Sequence, residues 1–114
     1  MKVIVAGGRD LPHTVEYRTW VISMLRSLQA TEVVSGCASG ADRLGEVVAT
    51  ELGLPIARFP ALWALFGNQA GPMRNREMAK YADACLLLPG GRGTLSMKRY
   101  ALSFGLQVLE YPEV

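Results

Sequence analysis

Short, almost wholly apolar runs alternate along this chain with segments whose apolar residues recur every three or four positions. Lys2–Ala6 is such a run, the pattern of a strand in a sheet covered on both faces. In Thr14–Gln29, Val15, Thr19, Ile22, Leu25 and Leu28 recur at helical spacing, with Thr14 as N-cap candidate. Glu32–Ser35 is a second strand. Ser39–Leu52 is a second helix with Ala41, Leu44, Val48 and Leu52 on one face, and Gly53 is its stop. Ser39 and Asp42 stand at capping-box spacing, with Asp in place of the usual Glu. Leu54–Phe59 is a third strand, with Pro55 near its start, where a missing N–H is tolerated. Pro60–Ala70 holds Trp63, Leu65 and Phe66 before Gly67-Asn68 and is a loop or a short helix. Pro72–Tyr81 is a helix with Pro72 near its first position. Asp83–Leu88 is the fourth strand, Thr94–Phe104 the last helix, ended by Gly105, and Leu106–Glu110 the fifth strand.

Strands alternating with helices through short loops imply parallel pairing and right-handed crossovers. The expected fold is α/β: one Rossmann-like three-layer domain over residues 1–114, with a five-stranded parallel sheet of order 3-2-1-4-5. The switch point then lies between strands one and four. That order brings Gly7–Asp10 beside Pro89–Thr94, with Ser35–Gly40 next along the same edge.

Composition narrows the function classes. A content of 50% hydrophobic residues is rich for a single small domain, and we read part of it as a subunit interface, a homodimer or higher. Twelve Lys and Arg against ten Asp and Glu leave a charge of only +2, so nucleic acid is an unfavoured partner. Cys37 and Cys85 form no C-x-x-C pair and His13 is the only histidine, so no metal site is expected. Free thiols fit a reducing compartment. No apolar run reaches membrane-spanning length, and the strand at Met1-Lys2-Val3 leaves no room for a signal peptide. The expectation is a cytoplasmic protein with no membrane contact and no resident cofactor.

Three glycine-rich turns follow apolar strands. Pro89, Gly90, Gly91, Arg92, Gly93 and Thr94 join a strand to a helix, where glycine lets backbone N–H groups approach a ligand and the helix N-terminus favours phosphate. Arg92 is a phosphate clamp or a solvated side chain, and Thr94 an N-cap or a ligand hydroxyl. Gly7, Gly8, Arg9 and Asp10 form the second turn; Arg9 suits bidentate phosphate binding, and Asp10 a ribose hydroxyl or a turn cap. The third holds Ser35, Gly36, Cys37, Ser39, Gly40 and Asp42. There Asp42 is a ligand contact or a helix-dipole partner, and Cys37 is a small residue in a tight turn. Arg74 and Asn75, after Gly71-Pro72, are further contact candidates, with Glu77 on the Arg74 face at i,i+3. Neither G-x-G-x-x-G nor a Gly-Lys-Ser/Thr phosphate loop occurs.

These segments, as Gly7–Asp10, Ser35–Asp42, Gly71–Asn75 and Pro89–Thr94, together resemble the SLOG superfamily. That Rossmann-like group unites the DNA-processing Smf/DprA proteins with the LOG ("lonely guy") phosphoribohydrolases. The pattern is most similar to its small YspA/YpsA-related branch. The resemblance covers nearly the whole chain and implies a nucleotide-type ligand. The LOG signature continues Pro-Gly-Gly-x-Gly-Thr-x-x-Glu with a catalytic Glu, and Met97 stands at that position here. The branch's acidic residue before the tryptophan of the third-strand loop is Leu62 here.

Three readings follow. The leading one is a nucleotide or nucleotide-derived small molecule bound by the phosphate-cradling turns, as in a sensor. The second is a LOG-like N-glycosidic hydrolase or transferase on nucleoside 5′-monophosphates. It needs a carboxylate in place of Met97, with Glu77, Glu46, Asp10 or Asp42 as candidates beside Arg74. The third is single-stranded nucleic acid binding. Trp63 and Phe66 stack on a base or pack in an interface, and packing is the preferred reading because an aromatic in an apolar stretch is more often core.

Overall fold

Parallel pairing sorts the strand residues onto two faces, and each face takes its own pair of helices. The structure is a computed structural model and describes residues 1–112. Its strands are β1 (Lys2–Ala6), β2 (Glu32–Ser35), β3 (Ile56–Arg58), β4 (Ala84–Leu87) and β5 (Gln107–Glu110). They form one parallel sheet of order β3-β2-β1-β4-β5. Val3 pairs with Val33 and Ala84, and Ile4 with Val34 and Cys85, so like-facing residues lie in rows across the three central strands. Val3, Val5, Val33, Ala84 and Leu86 face α1 (Val15–Ser27) and α2 (Ala41–Glu51), packing with Val21, Leu25, Leu44 and Val48. Ile4, Ala6, Val34, Cys85 and Leu87 face the opposite layer, with Met78, Ala79, Met97 and Ala101. That layer is α4 (Ala70–Tyr81) and α5 (Arg92–Ser103). The result is the Rossmann-like three-layer fold that the alternation implies. No helix among the described residues is long and apolar enough to cross a membrane.

Element ends depart from the sequence reading for local reasons. Thr14 does cap α1, its Oγ1 accepting from Tyr17 N–H at 3.2 Å. Ser39 does not cap α2: its hydroxyl donates to the Arg9 carbonyl at 3.0 Å, and Gly40 at φ +69° takes the N-cap position. Asp42 closes no capping box either, since its Oδ2 accepts from Ala38 N–H at 3.1 Å. β3 is three residues long rather than six, because Gly53 at φ +71° and the Leu54 N–H bond to Ala49 spend Gly53-Leu54 on ending α2. α5 starts at Arg92, placing Thr94 inside its first turn.

Pro60–Ala70 contains a short helix, α3 (Trp63–Phe66), and a 3-10 turn, Gly67–Gln69, that runs straight into α4. Pro72 is thus the third residue of α4, where its missing N–H costs nothing because the first turn has no intrahelical acceptors. α3 packs chiefly on the start of α4 rather than on the sheet, so Leu62, Trp63, Leu65 and Phe66 are all exposed.

Candidate functional site

One residue, Gly8, ties its own turn to the turn after β4 and to the start of α2. Gly8 N–H donates to the Pro89 carbonyl at 2.8 Å, and the Gly8 carbonyl accepts from Ala41 N–H at 3.1 Å and Leu11 N–H at 3.3 Å. The close approach demands glycine. A Cβ on Gly40 would lie 2.1 Å from the Gly8 oxygen, and one on Gly7 2.7 Å from the Ala41 Cβ. Gly91 and Gly93 differ: a Cβ there would meet nothing within 4 Å. Packing within the chain does not require glycine at either place, and Gly93 weakens the first turn of its helix relative to alanine.

The turns enclose a pocket of about 290 Å³ at the switch point. Of the residues singled out by sequence, Gly7, Gly8, Arg9, Gly36, Asp42, Arg74, Asn75, Gly91, Arg92, Gly93 and Thr94 line it. Ser35 is spent internally, its hydroxyl donating to Glu46 Oε2 at 2.6 Å and accepting from Cys37 N–H at 3.1 Å. Gly40 backs the Gly8 turn, while Pro89 and Gly90 line the far side of their loop. Ser39 lines a neighbouring compartment, and Asp10 is exposed beyond the rim. Glu46 is held by Arg58 at 2.9 Å, and Glu77 pairs with Arg76 and Lys80 on the outer side of α4. Among the described residues, Asp42 is the one carboxylate lining the pocket.

Arg74 is the central cation. Its Nη1 donates to the Gly36 carbonyl and its Nε to Asn75 Oδ1 at 2.9 Å. Asn75 is buried and donates in turn to Ser96 Oγ at 3.2 Å, which aims Arg74 and joins α4 to α5. Gly36 makes room for both charges, since a Cβ there would stand 2.7 Å from Arg74 Nη1 and 2.8 Å from Asp42 Oδ2. Burial lowers the Arg74 pKa, partly opposed by Asp42, with nearby Arg9 lowering it further. Among the described residues no carboxylate pairs with Arg9, Arg74 or Arg92 within 4.0 Å. The two helix N-termini at the pocket are not equivalent. α2 carries Asp42 in its first turn; α5 carries neither an acidic residue there nor a side-chain cap. The free donors of α5 are therefore the ones open to an anion.

Desolvation raises the Asp42 pKa above its ordinary 3.8, against the Ala38 N–H bond and Arg74. A raised folded pKa means the folded protein holds this proton more tightly than the unfolded chain. The ionised form therefore costs stability above the raised value, and the cost is relieved as pH falls toward 3.8. Asp42→Asn, which keeps an oxygen for Ala38, is expected to be more stable than wild type at pH 7. Its advantage should shrink on acidification. Urea unfolding at pH 7 and pH 5 reads the gap; one that widens at pH 5 would reverse the assignment.

Two side chains were less legible. Trp63, read as packing, is 47% exposed and lies beside the rim, with the Arg9 guanidinium 5.4 Å from its ring centroid. Met97 is 1% exposed in the pocket floor, inside the α4–α5 core. Burial pushes the Cys85 thiol up to about 12, and partial burial and Glu46 raise that of the exposed Cys37.

No family model and no curated protein matches this chain. Its fold is similar to the X-ray structure of DNA processing protein A (DprA) from Streptococcus pneumoniae, with a TM-score of 0.74 and 18% identity. The match covers 99% of this chain and 50% of that one, so the chain spans about half the length of that protein. At this identity the likeness shows a DprA-like fold and does not carry over an activity.

Proposed function

We propose that this DprA-like domain binds a nucleoside 5′-monophosphate or a close derivative and releases it intact. The observation that carries the reading is Arg74: a largely buried guanidinium, aimed by Asn75 and without a carboxylate partner, beside the uncapped N-terminus of α5. The guanidinium has lost part of its hydration and Asp42 answers it only from beyond ion-pair distance, so an anion in the pocket offsets the desolvation. The phosphate lies on the N–H groups of Arg92–Thr94, within reach of Arg74 and Arg92. The ribose lies toward Gly36 and Asp42, whose carboxylate accepts from a hydroxyl. A volume of about 290 Å³ is at the small end for ligand pockets, which suits one sugar phosphate.

Binding is preferred over turnover because the position of the LOG glutamate is a buried methionine, and Asp42 sits in a turn on the opposite side of the pocket from α5. Calorimetric titration with a nucleoside and its 5′-monophosphate tests the reading. Only the phosphorylated form is expected to bind, and chromatography should recover it whole. Free base in the product would move the hydrolase reading to the front. Likeness to a DNA processing protein supports single-stranded DNA as the second reading. DNA binding that falls steeply with salt, with no monophosphate binding, would favour it. A homo-oligomer belongs to the same proposal, with exposed Leu62, Leu65, Phe66 and Met73 as the surface a second copy covers.

A further inference from the structure

Beside the phosphate pocket lies a second compartment of about 340 Å³, continuous with it through Arg9, Gly36, Ala38 and Arg74. Its outer wall is Trp63, which is half exposed in a chain whose other tryptophan, Trp20, packs against Tyr111. The indole is not loose. Its six-membered ring rests on the backbone of Gly71, where a Cβ would stand 3.0 Å from Cη2 and 3.7 Å from Cζ2. Glycine in the first turn of α4 is otherwise unfavourable, so the position trades helix stability for a seat under the indole. The Arg9 guanidinium lies over this ring with its centre 5.4 Å from the centroid. Its backbone is held by the Ser39 hydroxyl on the Arg9 carbonyl. Among the described residues its side chain has no hydrogen-bond or ion-pair partner, so the indole is its only protein contact of that kind.

A guanidinium held within cation–π distance of an indole places a cationic plane and an aromatic one side by side at the compartment wall. Aromatic bases stack on aromatic side chains and on arginine planes, and each stack tolerates many bases because every base has a π-face. We propose that this second compartment is the base subsite of the same ligand, with the Trp63–Arg9 stack as the platform for an aromatic base and a purine preferred for its larger stacked area. The proposal rests on the phosphate-site reading above. It adds that affinity comes from the base as well as the phosphate, and that the ligand crosses from one compartment to the other where Arg9 and Arg74 line both.

The test is a titration of wild type, Trp63→Ala and Trp63→Phe with ribose 5-phosphate, adenosine 5′-monophosphate and uridine 5′-monophosphate, followed by calorimetry and tryptophan fluorescence. Adenosine monophosphate is expected to bind wild type about 5- to 150-fold more tightly than ribose 5-phosphate, the span of one base–aromatic stack. It should change the fluorescence of wild type and not of Trp63→Phe. Trp63→Ala should bring it down to the ribose 5-phosphate level without altering ribose 5-phosphate binding, and Trp63→Phe should recover part of the loss. Uridine monophosphate binding as tightly as adenosine monophosphate would remove the purine preference. Equal binding of ribose 5-phosphate and adenosine monophosphate, with no effect of either variant, would overturn the base subsite and leave the phosphate site standing. No binding of any of the three would overturn both.

Discussion

Replacing Arg74 by glutamine is expected to weaken nucleoside monophosphate binding about 10- to 100-fold while leaving the fold's stability within about 1 kcal/mol of wild type. The two effects separate because of where the charge sits. In the free protein the guanidinium has lost much of its hydration and is answered by the Gly36 carbonyl and Asn75, not by a carboxylate. Its removal deletes two hydrogen bonds and also deletes a partly desolvated charge that Asp42 answers only at a distance, and these nearly offset. In the complex the same guanidinium faces a phosphate, where a charge-assisted bond has no substitute. Titration calorimetry paired with urea unfolding reads both quantities. A variant that binds normally would move the anion away from α4. One that unfolds would make Arg74 a structural residue.

Gly40→Ala is expected to cost about 3 kcal/mol or more of stability, with Gly53→Ala near 1 kcal/mol. Both glycines have positive φ, +69° and +71°, so both substitutions strain the backbone. Only Gly40 adds a collision: its Cβ would lie 2.1 Å from the Gly8 oxygen and 2.6 Å from the Arg9 carbonyl, backbone atoms that cannot swing aside. Relief requires the Gly8–Arg9 turn to move off Ala41 N–H. Gly53 faces open space. Urea midpoints of the two variants, measured side by side, separate strain from overlap. Equal losses would show that the turn yields more readily than this geometry implies.

The sheet was legible because its central strands carry apolar residues on both faces, and only a covered parallel sheet asks for that. Strand order then followed from chain topology. The points that the residue order left open turn on partners that spacing alone does not name. Ser39 and Asp42 have capping-box spacing, but the Gly8 carbonyl presses on Gly40 and the Arg9 carbonyl draws off the Ser39 hydroxyl. Trp63, expected to pack in an interface or stack on a base, stands at the surface of the single chain on the Gly71 backbone, a seat that no local spacing announces. Helical spacing puts Glu77 on the Arg74 side of α4, and both do line one groove beside Phe66 and Met73, but Glu77 pairs with Arg76 and Lys80 and does not reach the pocket at the switch point. Asp42 was in view throughout. What the residue order could not say is that Gly36 opens the space in which Asp42 and Arg74 approach one another.

The Gly8 backbone, its N–H donating and its carbonyl accepting, couples the β1 turn to the loop after β4 and to the start of α2. These segments therefore share one mechanical fate: displacing any of them breaks bonds in the others. A rim coupled in this way was ordered when the chain folded, so a ligand meets little loop entropy to remove. What faces solvent on that rim is the side chains of Arg9 and Arg92, both exposed. On the proposed reading, discrimination among ligands falls to these two cations on a stiff ring. Such a receptor changes its preference by exchanging side chains at the rim, without remaking its backbone.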